Sequence, residues 1–488
     1  HTLLEDLETA YGQLCAGRRV QLPAKTASFK QWAERLVEFS RGATLRNELP
    51  FWQSVAVEEL ANLPFDFPSP GENTEASTET ITVALSVDET RSLLQKVPAA
   101  YNTQINDVLL TALAQAVAPW AGGRSLLVDL EGHGREDLGD GLDLSRSVGW
   151  FTSVFPVRLE LPTAGGVGDA VKSVKEQLRR IPQRGIGYGV LRYLAGDAVL
   201  QAQRQPGIVF NYLGQFDQVL AGSKLFSFAP EASGPWHSPR NARRHWLEIN
   251  SLVIGEKLEL RWTFSRNAHR AETIESIAGK FLAALRAIIA HCTTPGMRGF
   301  TPSDFPLAKL EQAALDRIAA ATPELEEICP LSPMQQLFYT LESANAKIGF
   351  HQYHYTIRGV IDADALRAAW EQVVARHAIL RTAFVGDGLR LPQQIVHGRV
   401  ELPWTNEDWR AVAKAEQEVR FAGWLVQDAT RTFDLSKPPL MRCALVRMAD
   451  DEWRFVWCHH HLHVDGWSWP LLFREVAEFY AGATAGKQ

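Results

Sequence analysis

The sequence predicts an α/β fold in two sandwich-like units, each with a mixed sheet flanked by helices. Between Ile81 and Arg266, runs rich in branched and aromatic residues alternate with helical stretches such as Asn106 to Trp120. After Pro323 a second series of the same kind begins. The segment CTTPGMRGFTPSDFP between them is dense in Pro, Gly, Ser and Thr, which is typical of an exposed linker. Strands and helices that alternate in this way form layers around a shared sheet.

The first unit is predicted to contain six strands and a closing helix. The strand signals are ITVALSV, RSLLVDLEG, VFPVRLEL, GIVFNYLG, LEINSLVI and KLELRWTFS. The helix, rich in Ala and Leu, runs from Ile274 to His291, and a short helix from Leu307 to Ala320 follows within the linker.

The second unit has four strand signals and one long helix. The strands are HQYHYTIRGV, LRTAFV, PLMRCALVRM and EWRFVWCHHHLHV, and the helix spans Ala363 to His377. Both units are therefore predicted to be α/β, and they could be related.

The composition excludes several classes of function. The 488 residues are 46% apolar and 22% charged, which is typical of a globular protein with several cores. A net charge of -6, with both signs mixed along the chain, provides no basic surface for nucleic acid or an anionic membrane. No apolar run approaches the ~20 residues that span a bilayer, and no secretory signal is apparent. We expect a cytoplasmic protein whose five scattered cysteines are reduced thiols.

The two ends of the chain resemble each other. Residues 1–11 align without gaps on residues 470–480, and both segments place apolar residues at i, i+4 and i+8, on one helical face. A repeat of this length indicates whole domains, although two amphipathic helices could also match by chance. Because the chain opens at His1, directly in a helix and without an initiator methionine, we expect it to be a piece of a longer polypeptide.

The strongest candidate site is the HHLHVDG sequence of His460 to Gly466, which lies between a predicted strand and a helix starting near Ser468. The strand period of two would place His459, His461 and His463 on one face and His460 on the other. An imidazole can take or hold a proton while an amine or alcohol attacks a thioester, which favours acyl transfer. Two alternatives stay open: a metal site, which would lack a fourth ligand and a carboxylate, and a packed cluster of core histidines.

The HHxxxDG pattern, with Trp467 and Ser468 after it, resembles the active-site motif of the condensation domains of non-ribosomal peptide synthetases. These domains belong to the chloramphenicol acetyltransferase-like superfamily. The segments PLSPMQ, at 330–335, and RHAILRTAF, at 376–384, are similar to the first and second motifs of this family. The resemblance implies a fold of two lobes with a tunnel between them, of which only the first lobe would be present here.

The resemblance also assigns roles to single residues. His461 would be the catalytic histidine, and Asp465 would hold the turn as an ion-pair partner, for which Arg381 is the candidate. The remaining assignments are the motif positions His460 and Gly466 and the substrate-binding candidates Trp467 and Ser468.

The first unit carries a different series of motifs. The segment EGHGRE follows the strand SLLVDL, so that Glu131 stands where a strand ends and a loop begins. RSVGWFTS, PQRGIGYG and FNYLGQF follow in that order. Over residues 1 to about 290 this series resembles the second lobe of an epimerization domain, a relative with the same two-lobed fold. The resemblance implies that Glu131 is catalytic, and the alternative is an ordinary carboxylate on a surface loop.

Epimerization removes the α-proton of an aminoacyl or peptidyl thioester and returns it on the opposite face, which requires two acid–base groups around one carbon. Glu131 would be one, and the imidazole of an HHxxxDG motif on an absent first lobe would be the other. Asn211 and Tyr212 are the candidate donors to the enolate.

We therefore expect residues 1–292 to be the C-terminal lobe of an epimerization domain with the tail of its N-terminal lobe. Residues 293–327 would be a linker with a short helix, and residues 328–488 the N-terminal lobe of a condensation domain. The substrates would be a D-configured donor and an L-configured acceptor, carried on the phosphopantetheine of carrier domains, with adenylation domains in the same assembly line. No metal or cofactor would be bound directly, and the chain alone would be incomplete. The alternatives are a free-standing acyltransferase of the same superfamily and a non-catalytic recruitment module.

Overall fold

The computed structural model describes residues 2–55, 63–139, 141–215, 225–226, 231, 234–344 and 348–485. The chain divides into two compact units, His1–Gly299 and Phe300–Gln488. Within the described ranges no helix is both long enough and apolar enough to cross a bilayer. All five cysteines are free thiols.

The first unit is built on a six-stranded mixed sheet in the order β1-β6-β5-β4-β2-β3. Strand β4 runs parallel to β2 and β5, and the other neighbours are antiparallel. All six predicted strands are confirmed within a few residues. Their bounds are β1 Thr78–Ala84, β2 Ser125–Gly132, β3 Ser153–Glu160, β4 Ile208–Gln215, β5 Leu247–Ile254 and β6 Lys257–Ser265.

The helices of the first unit confirm the two long helices predicted there. Among the described residues of this unit, the α-helices are α1 Thr2–Cys15, α2 Phe29–Ser40, α3 Ala43–Arg46, α4 Leu49–Val55, α5 Val87–Gln95, α6 Val97–Tyr101, α7 Ile105–Trp120, α8 Val167–Arg179, α9 Ile186–Gly189, α10 Ala198–Ala202 and α11 Ala271–Cys292. Short 3-10 turns lie at Glu75–Ser77 and Pro182–Gly185, and a π-turn lies at Val190–Leu194.

Helices α7 and α11 cover one face of the sheet and form the core with it. Leu109, Leu113 and Phe281 are fully buried, and the Phe281 ring lies 5.7 Å from that of Trp262 on β6. Burying a large apolar side chain contributes about 1.5–3 kcal/mol, so this layer supplies much of the stability of the unit. The opposite face of the sheet carries several polar side chains, among them Asp129, Glu131 and Glu248.

The helices at the two ends of the chain expose different faces. Helix α1 is held by ion pairs from Glu5 and Asp6 to Arg146, whereas its apolar residues Leu3 and Leu7 are 67% and 55% exposed. The aligned helix of the second unit buries the corresponding positions. The predicted helices are thus present at both ends, but only one has its apolar face covered.

The second unit contains two sheets. An antiparallel sheet has the order β7-β10-β9, and a four-stranded sheet has the order β11-β12-β13-β8, in which only β11 and β12 are parallel. The strands are β7 Leu325–Pro330, β8 Phe350–Arg358, β9 Thr382–Val385, β10 Gln393–His397, β11 Trp404–Asp408, β12 Met441–Arg447 and β13 Glu452–His460. The helices are α12 Gln312–Ala321, α13 Pro333–Ser343, α14 Ala363–Arg376, α15 Lys414–Ala429 and α16 Ser468–Thr484, with 3-10 turns at Pro302–Asp304 and Ala378–Arg381.

The expected exposed linker is wrong from Phe300 onward. Phe300 and Phe305 are buried, their rings lie 5.2 Å apart, and they share a core with Leu315 and Ile328 of the second unit. The Pro and Gly residues of this segment do mark turns, but burial of its two aromatic side chains is favourable in free energy, so the segment packs against the second unit. The short helix begins at Gln312, several residues later than predicted.

Candidate active sites

The first candidate site lies where β2 ends. Glu131 accepts a hydrogen bond at Oε2 from Nδ2 of Asn211, at 2.8 Å. Asn211 comes from β4, which pairs in parallel with β2 through Leu130 and Phe210. Because the carboxyl ends of parallel strands meet at one edge of a sheet, two distant motifs of the sequence, EGHGRE and FNYLGQF, are brought together here. The last residue of FNYLGQF, Phe216, lies outside the described residues.

The surroundings of Glu131 favour its neutral form. The Glu131 side chain is exposed at the strand end, but partial loss of hydration raises the pKa of its carboxyl, the negative charge of Glu248 raises it further, and His245 opposes the shift. The same face of β2 carries Asp129, which is buried and hydrogen-bonded to Nε2 of His245 at 2.8 Å. A carboxyl whose pKa is raised can both accept and return a proton more readily near neutral pH.

Tyr212 does not join Glu131. It packs against the hydrophobic core on the opposite face of the sheet from Asn211, because successive side chains of a strand alternate. Burial raises the pKa of its phenol. The structure thus places Tyr212 on the other face from Asn211, and its role as a donor to the enolate stays a prediction.

The loop after Glu131 packs closely against the RSVGWFTS segment. Gly134 has a φ of +65°, and a Cβ atom there would lie 1.7 Å from the carbonyl oxygen of Phe151, so only glycine fits. The Arg135 guanidinium lies 3.8 Å from the centre of the Phe151 ring and donates to the carbonyls of Leu144 and Ser147. These motifs therefore build the wall of the site, next to the edge where Glu131 stands.

The second candidate site is the HHxxxDG turn. Strand β13 ends at His460, and the amide of His463 donates to the His460 carbonyl at 3.0 Å, which closes a turn. The predicted alternation through His461 and His463 is wrong, because it assumed that the strand continued. Only His459 and His460 keep strand geometry.

His461 has one ring nitrogen free for chemistry. Its Nδ1 lies 2.9 Å from the carbonyl oxygen of Val464, and since a carbonyl only accepts, Nδ1 carries the proton of the neutral ring. Nε2 then keeps a lone pair, and it has no hydrogen-bond partner in the part of the chain that the structure describes. The ring is partly exposed and lies edge-to-face on Phe338, with centres 4.8 Å apart. An imidazole held in this way can accept a proton at Nε2.

The neighbouring histidines are buried and neutral. His463 donates from Nε2 to the Thr382 carbonyl at 2.8 Å, and burial lowers its pKa to about 4. Burial likewise lowers the pKa of His459 to about 3. For His460, burial lowers the pKa while its hydrogen bond to Glu342 opposes the shift. The rings of His460 and His463 are hydrogen-bonded to the main chain of Leu462 and Thr382, whereas His461 presents an accessible nitrogen.

Asp465 and Arg381 do not form the expected ion pair. Asp465 is exposed and accepts hydrogen bonds from N and Oγ of Ser468, at 3.0 and 2.7 Å, which lower its pKa. It thereby caps the first turn of α16. Arg381 instead pairs with Glu326 at 2.5 Å and donates to the His397 carbonyl. Gly466 and Trp467 are exposed, Trp467 to 88%.

Gln335 links the PLSPMQ segment to the turn. Its amide N–H and its Oε1 form a capping box with Ser332 at the start of α13, and its Nε2 donates to the Leu462 carbonyl at 3.2 Å. The S-x-x-Q spacing could have predicted the cap, but nothing in the sequence indicates the contact with Leu462.

A cavity of about 390 Å³ lies beside the turn and within the second unit. It is lined by aromatic and polar side chains, among them Tyr339, Glu342, Phe350, Phe433 and His460. No group of three or more His, Cys, Asp or Glu residues in the described ranges is arranged to hold a metal ion.

Comparison with known proteins identifies the family. The model of the condensation domain family matches residues 1–311 and again residues 325–488. Two linear gramicidin synthase proteins of Brevibacillus parabrevis are similar to the chain, one with 44% identity over 491 residues and the other with 45% identity over 493 residues. Each alignment covers 100% of this chain and 10% of the relative. The chain thus spans about a tenth of the length of these relatives.

Among solved structures, the chain resembles the epimerization domain from the third module of tyrocidine synthetase B. The identity is 38% and the TM-score 0.55, over 60% of this chain and 65% of that structure. The predicted fold class, α/β lobes of the chloramphenicol acetyltransferase type, is confirmed. The two family matches and these relatives show that the chain belongs to the condensation-domain family of non-ribosomal peptide synthetases.

Proposed function

We propose that residues 1–292 are the C-terminal lobe of an epimerization domain with the tail of its N-terminal lobe, and that residues 328–488 are the N-terminal lobe of the following condensation domain. Residues 293–327 lie between them in the chain, and from Phe300 onward they pack with the second unit. The observation that carries this proposal is the difference between the two candidate sites. The first unit offers a carboxyl with a raised pKa, Glu131, and the second offers an imidazole with a free Nε2, His461.

In the epimerization reaction, the α-carbon–hydrogen bond of a carrier-bound L-aminoacyl or peptidyl thioester breaks. Its electron pair passes into the enolate, and a proton is returned to the opposite face of the carbon. Glu131 is one of the two proton-transfer groups, and Asn211 orients its carboxylate. The likeness to the tyrocidine synthetase B epimerization domain supports this assignment for the first unit.

In the condensation reaction, the amine of the L-configured acceptor attacks the thioester carbonyl of a D-configured donor. A carbon–nitrogen bond forms, the carbon–sulfur bond breaks, and the donor phosphopantetheine leaves as a thiol that takes up the proton lost by the amine. His461 holds or accepts that proton at Nε2, while the contact of Nδ1 with Val464 fixes the tautomer. Carrier and adenylation domains of the assembly line supply both substrates.

The exposed apolar face of α1 supports the assignment of the first segment. Leu3 and Leu7 align with Leu472 and Val476, which are 4% and 5% exposed in the core of the second unit. We propose that the N-terminal lobe of the epimerization domain covers Leu3 and Leu7 in the same way. Exposed apolar stripes of this kind favour a protein contact.

The proposal is tested in the synthetase polypeptide that contains this chain. Glu131→Gln is expected to lower the formation of D-aminoacyl thioester by at least about 100-fold, the usual contribution of a positioned acid–base group, as measured by chiral chromatography of the hydrolysed thioester. Peptide-bond formation from a chemically loaded D-donor should remain. His461→Ala should give the reverse pattern, with epimerization intact and dipeptide formation lost.

Matched controls are Glu259→Gln on β6, where the carboxylate forms a surface ion pair with Arg261, and His354→Ala on β8, where the ring is exposed. Both should leave both reactions unchanged. If Glu131→Gln retains epimerization, the first assignment is wrong, and if His461→Ala retains dipeptide formation, the second is wrong. A chain in which neither variant changes either reaction would be a recruitment module.

A further inference from the structure

The residue Glu342 lies outside the motifs and is joined to the HHxxxDG turn by hydrogen bonds. We propose that Glu342 is a positioning residue for His461, acting through Gly349 and His460. The inference rests on the proposed function in one respect, that His461 is the reacting group. The contacts themselves lie entirely within the second unit.

One carboxylate oxygen of Glu342 receives two N–H groups. Its Oε1 accepts from Nε2 of His460 and from the backbone amide of Gly349, each at 3.0 Å. The carbonyl of the same Gly349 accepts the backbone amide of His461 at 2.7 Å. A continuous path of hydrogen bonds therefore runs from the Glu342 carboxylate through one peptide segment to the main chain of His461.

The same carboxylate selects the tautomer of His460. Nδ1 of His460 accepts the amide of Leu462 at 3.2 Å, so Nε2 must carry the proton that is donated to Glu342. With both ring nitrogens used, His460 fixes the main chain at Leu462, within the turn in which Nδ1 of His461 reaches the Val464 carbonyl. Loss of the Glu342 charge would weaken the hydrogen bond that holds the His460 ring, and we expect the turn to become more mobile.

The packing leaves little room for the turn to compensate. A Cβ atom at Gly349 would lie 2.2 Å from the His460 ring, so the main chain of Gly349 lies directly against that ring. The Glu342 side chain is only 15% exposed. Bonds from N–H groups to a carboxylate are about twice as strong as those to a neutral acceptor, and this strength is greater away from water. Because both N–H groups meet one oxygen, the amide oxygen of a glutamine could accept both bonds, but without the negative charge that strengthens them.

The test uses nitrogen-15 NMR of the 488-residue chain labelled at histidine, with the His461 signals assigned from the His461→Asn variant. In the parent chain, Nδ1 of His461 should show the shift of a protonated ring nitrogen and Nε2 that of an unprotonated one. In Glu342→Gln, both shifts should move towards the average of two exchanging tautomers. The control is Glu371→Gln on α14, whose carboxylate pairs with exposed Arg367 at 2.8 Å, and it should change neither shift.

Thermal unfolding shows whether each variant is folded. If Glu342→Gln does not fold, Glu342→Asp, which keeps the charge but withdraws the oxygen by one carbon, is examined in the same way. A folded variant in which both His461 shifts are those of the parent chain overturns the inference.

A second readout separates this inference from the proposed function. In the complete synthetase, Glu342→Gln should lower kcat for dipeptide formation by about 10- to 100-fold, as expected for a misplaced catalytic group, and leave KM for both carriers unchanged. Altered His461 shifts with unaltered dipeptide formation would support the positioning role and contradict the role of His461 in condensation. Unaltered shifts with lowered dipeptide formation would contradict the positioning role.

Discussion

The neutral histidines around the HHxxxDG turn should make the second unit sensitive to acid. His463 is 5% exposed, and burial lowers its pKa to about 4 from an ordinary value of 6.5. His459 is 1% exposed, with a pKa lowered to about 3. As the pH falls below 6.5, the unfolded chain binds protons at these residues while the folded unit does not. Stability is therefore complete above the ordinary pKa and is lost as the pH falls towards the folded value.

The size of this effect follows from the two pKa values of each residue. At pH 5, a group with an unfolded pKa near 6.5 and a folded pKa near 4 favours the unfolded state by a factor of about 30, or ~2 kcal/mol. His459 contributes a similar ~2 kcal/mol at that pH. The unit should lose about 4 kcal/mol between pH 7 and pH 5 from these two residues, a large part of the 5–15 kcal/mol typical of a domain.

The measurement is urea unfolding at pH 7 and pH 5, followed by pulsed hydrogen exchange and mass spectrometry of peptides from β13. His463→Gln places an amide where Nε2 stands and can still donate to the Thr382 carbonyl, but it cannot be protonated. In this variant, the loss of unfolding free energy between pH 7 and pH 5 should be smaller than in the parent by about 2 kcal/mol. The control His354→Gln, at an exposed ring, should lose as much unfolding free energy as the parent. A His463→Gln unit that loses as much stability as the parent would refute the reasoning.

Three other substitutions test the packing and charges of the two units. The buried Arg442 guanidinium makes two hydrogen bonds of 2.9 Å to the Asp428 carboxylate. Asp428→Ala removes that carboxylate and should destabilise the second unit by about 3–5 kcal/mol in urea unfolding, whereas the joint change Asp428→Leu with Arg442→Met should recover most of this loss. Glu131→Gln should raise the melting temperature of the first unit at pH 7 but not at pH 4, because a raised pKa means that the charged form, present only at the higher pH, destabilises the fold. Gly185→Ala should lower the stability of the first unit by on the order of 1–3 kcal/mol in calorimetry, because the φ of +90° disfavours a side chain and the new Cβ would lie 2.2 Å from the Phe155 ring.

The sequence predicted those elements whose own side chains form the core. Strands β2 and β6, of eight and nine residues, contain apolar side chains that alternate with polar ones or follow one another directly. Helix α7 is apolar on nearly all sides. Each of these elements can therefore be recognised from its own sequence. Strands β7 (LEEICP), β10 (QQIVH) and β11 (WTNED) are not predicted, because all three are short and β10 and β11 are mostly polar. Such strands form because a neighbour offers backbone hydrogen bonds, and pairing with a distant segment has no local signal.

The positions of the motif side chains are likewise not predictable from local sequence patterns. A turn, unlike a strand, has no period, so no spacing rule could show that His461 leaves β13 and that its Nδ1 turns towards Val464. Asp465 was expected to need a cation because a carboxylate in a motif suggests an ion pair. Its actual partner, Ser468, lies three residues away, which is the spacing of a helix-start contact and could have been recognised in the sequence.

The different surroundings of the histidines follow from that turn. A base must be accessible and keep an unprotonated nitrogen, whereas a group that holds the main chain must be buried and have its donors satisfied. Both faces of β13 are covered at its end, where His459 and His460 are buried. If the strand continued, the His461 ring would lie on the same covered face as His459. The turn after His460 takes the His461 ring out of that position. The end of β13 at His460 is therefore the feature that makes His461 available. A substitution that extended the strand by one pair would bury the His461 ring, and we expect it to abolish dipeptide formation while leaving the fold of the unit intact.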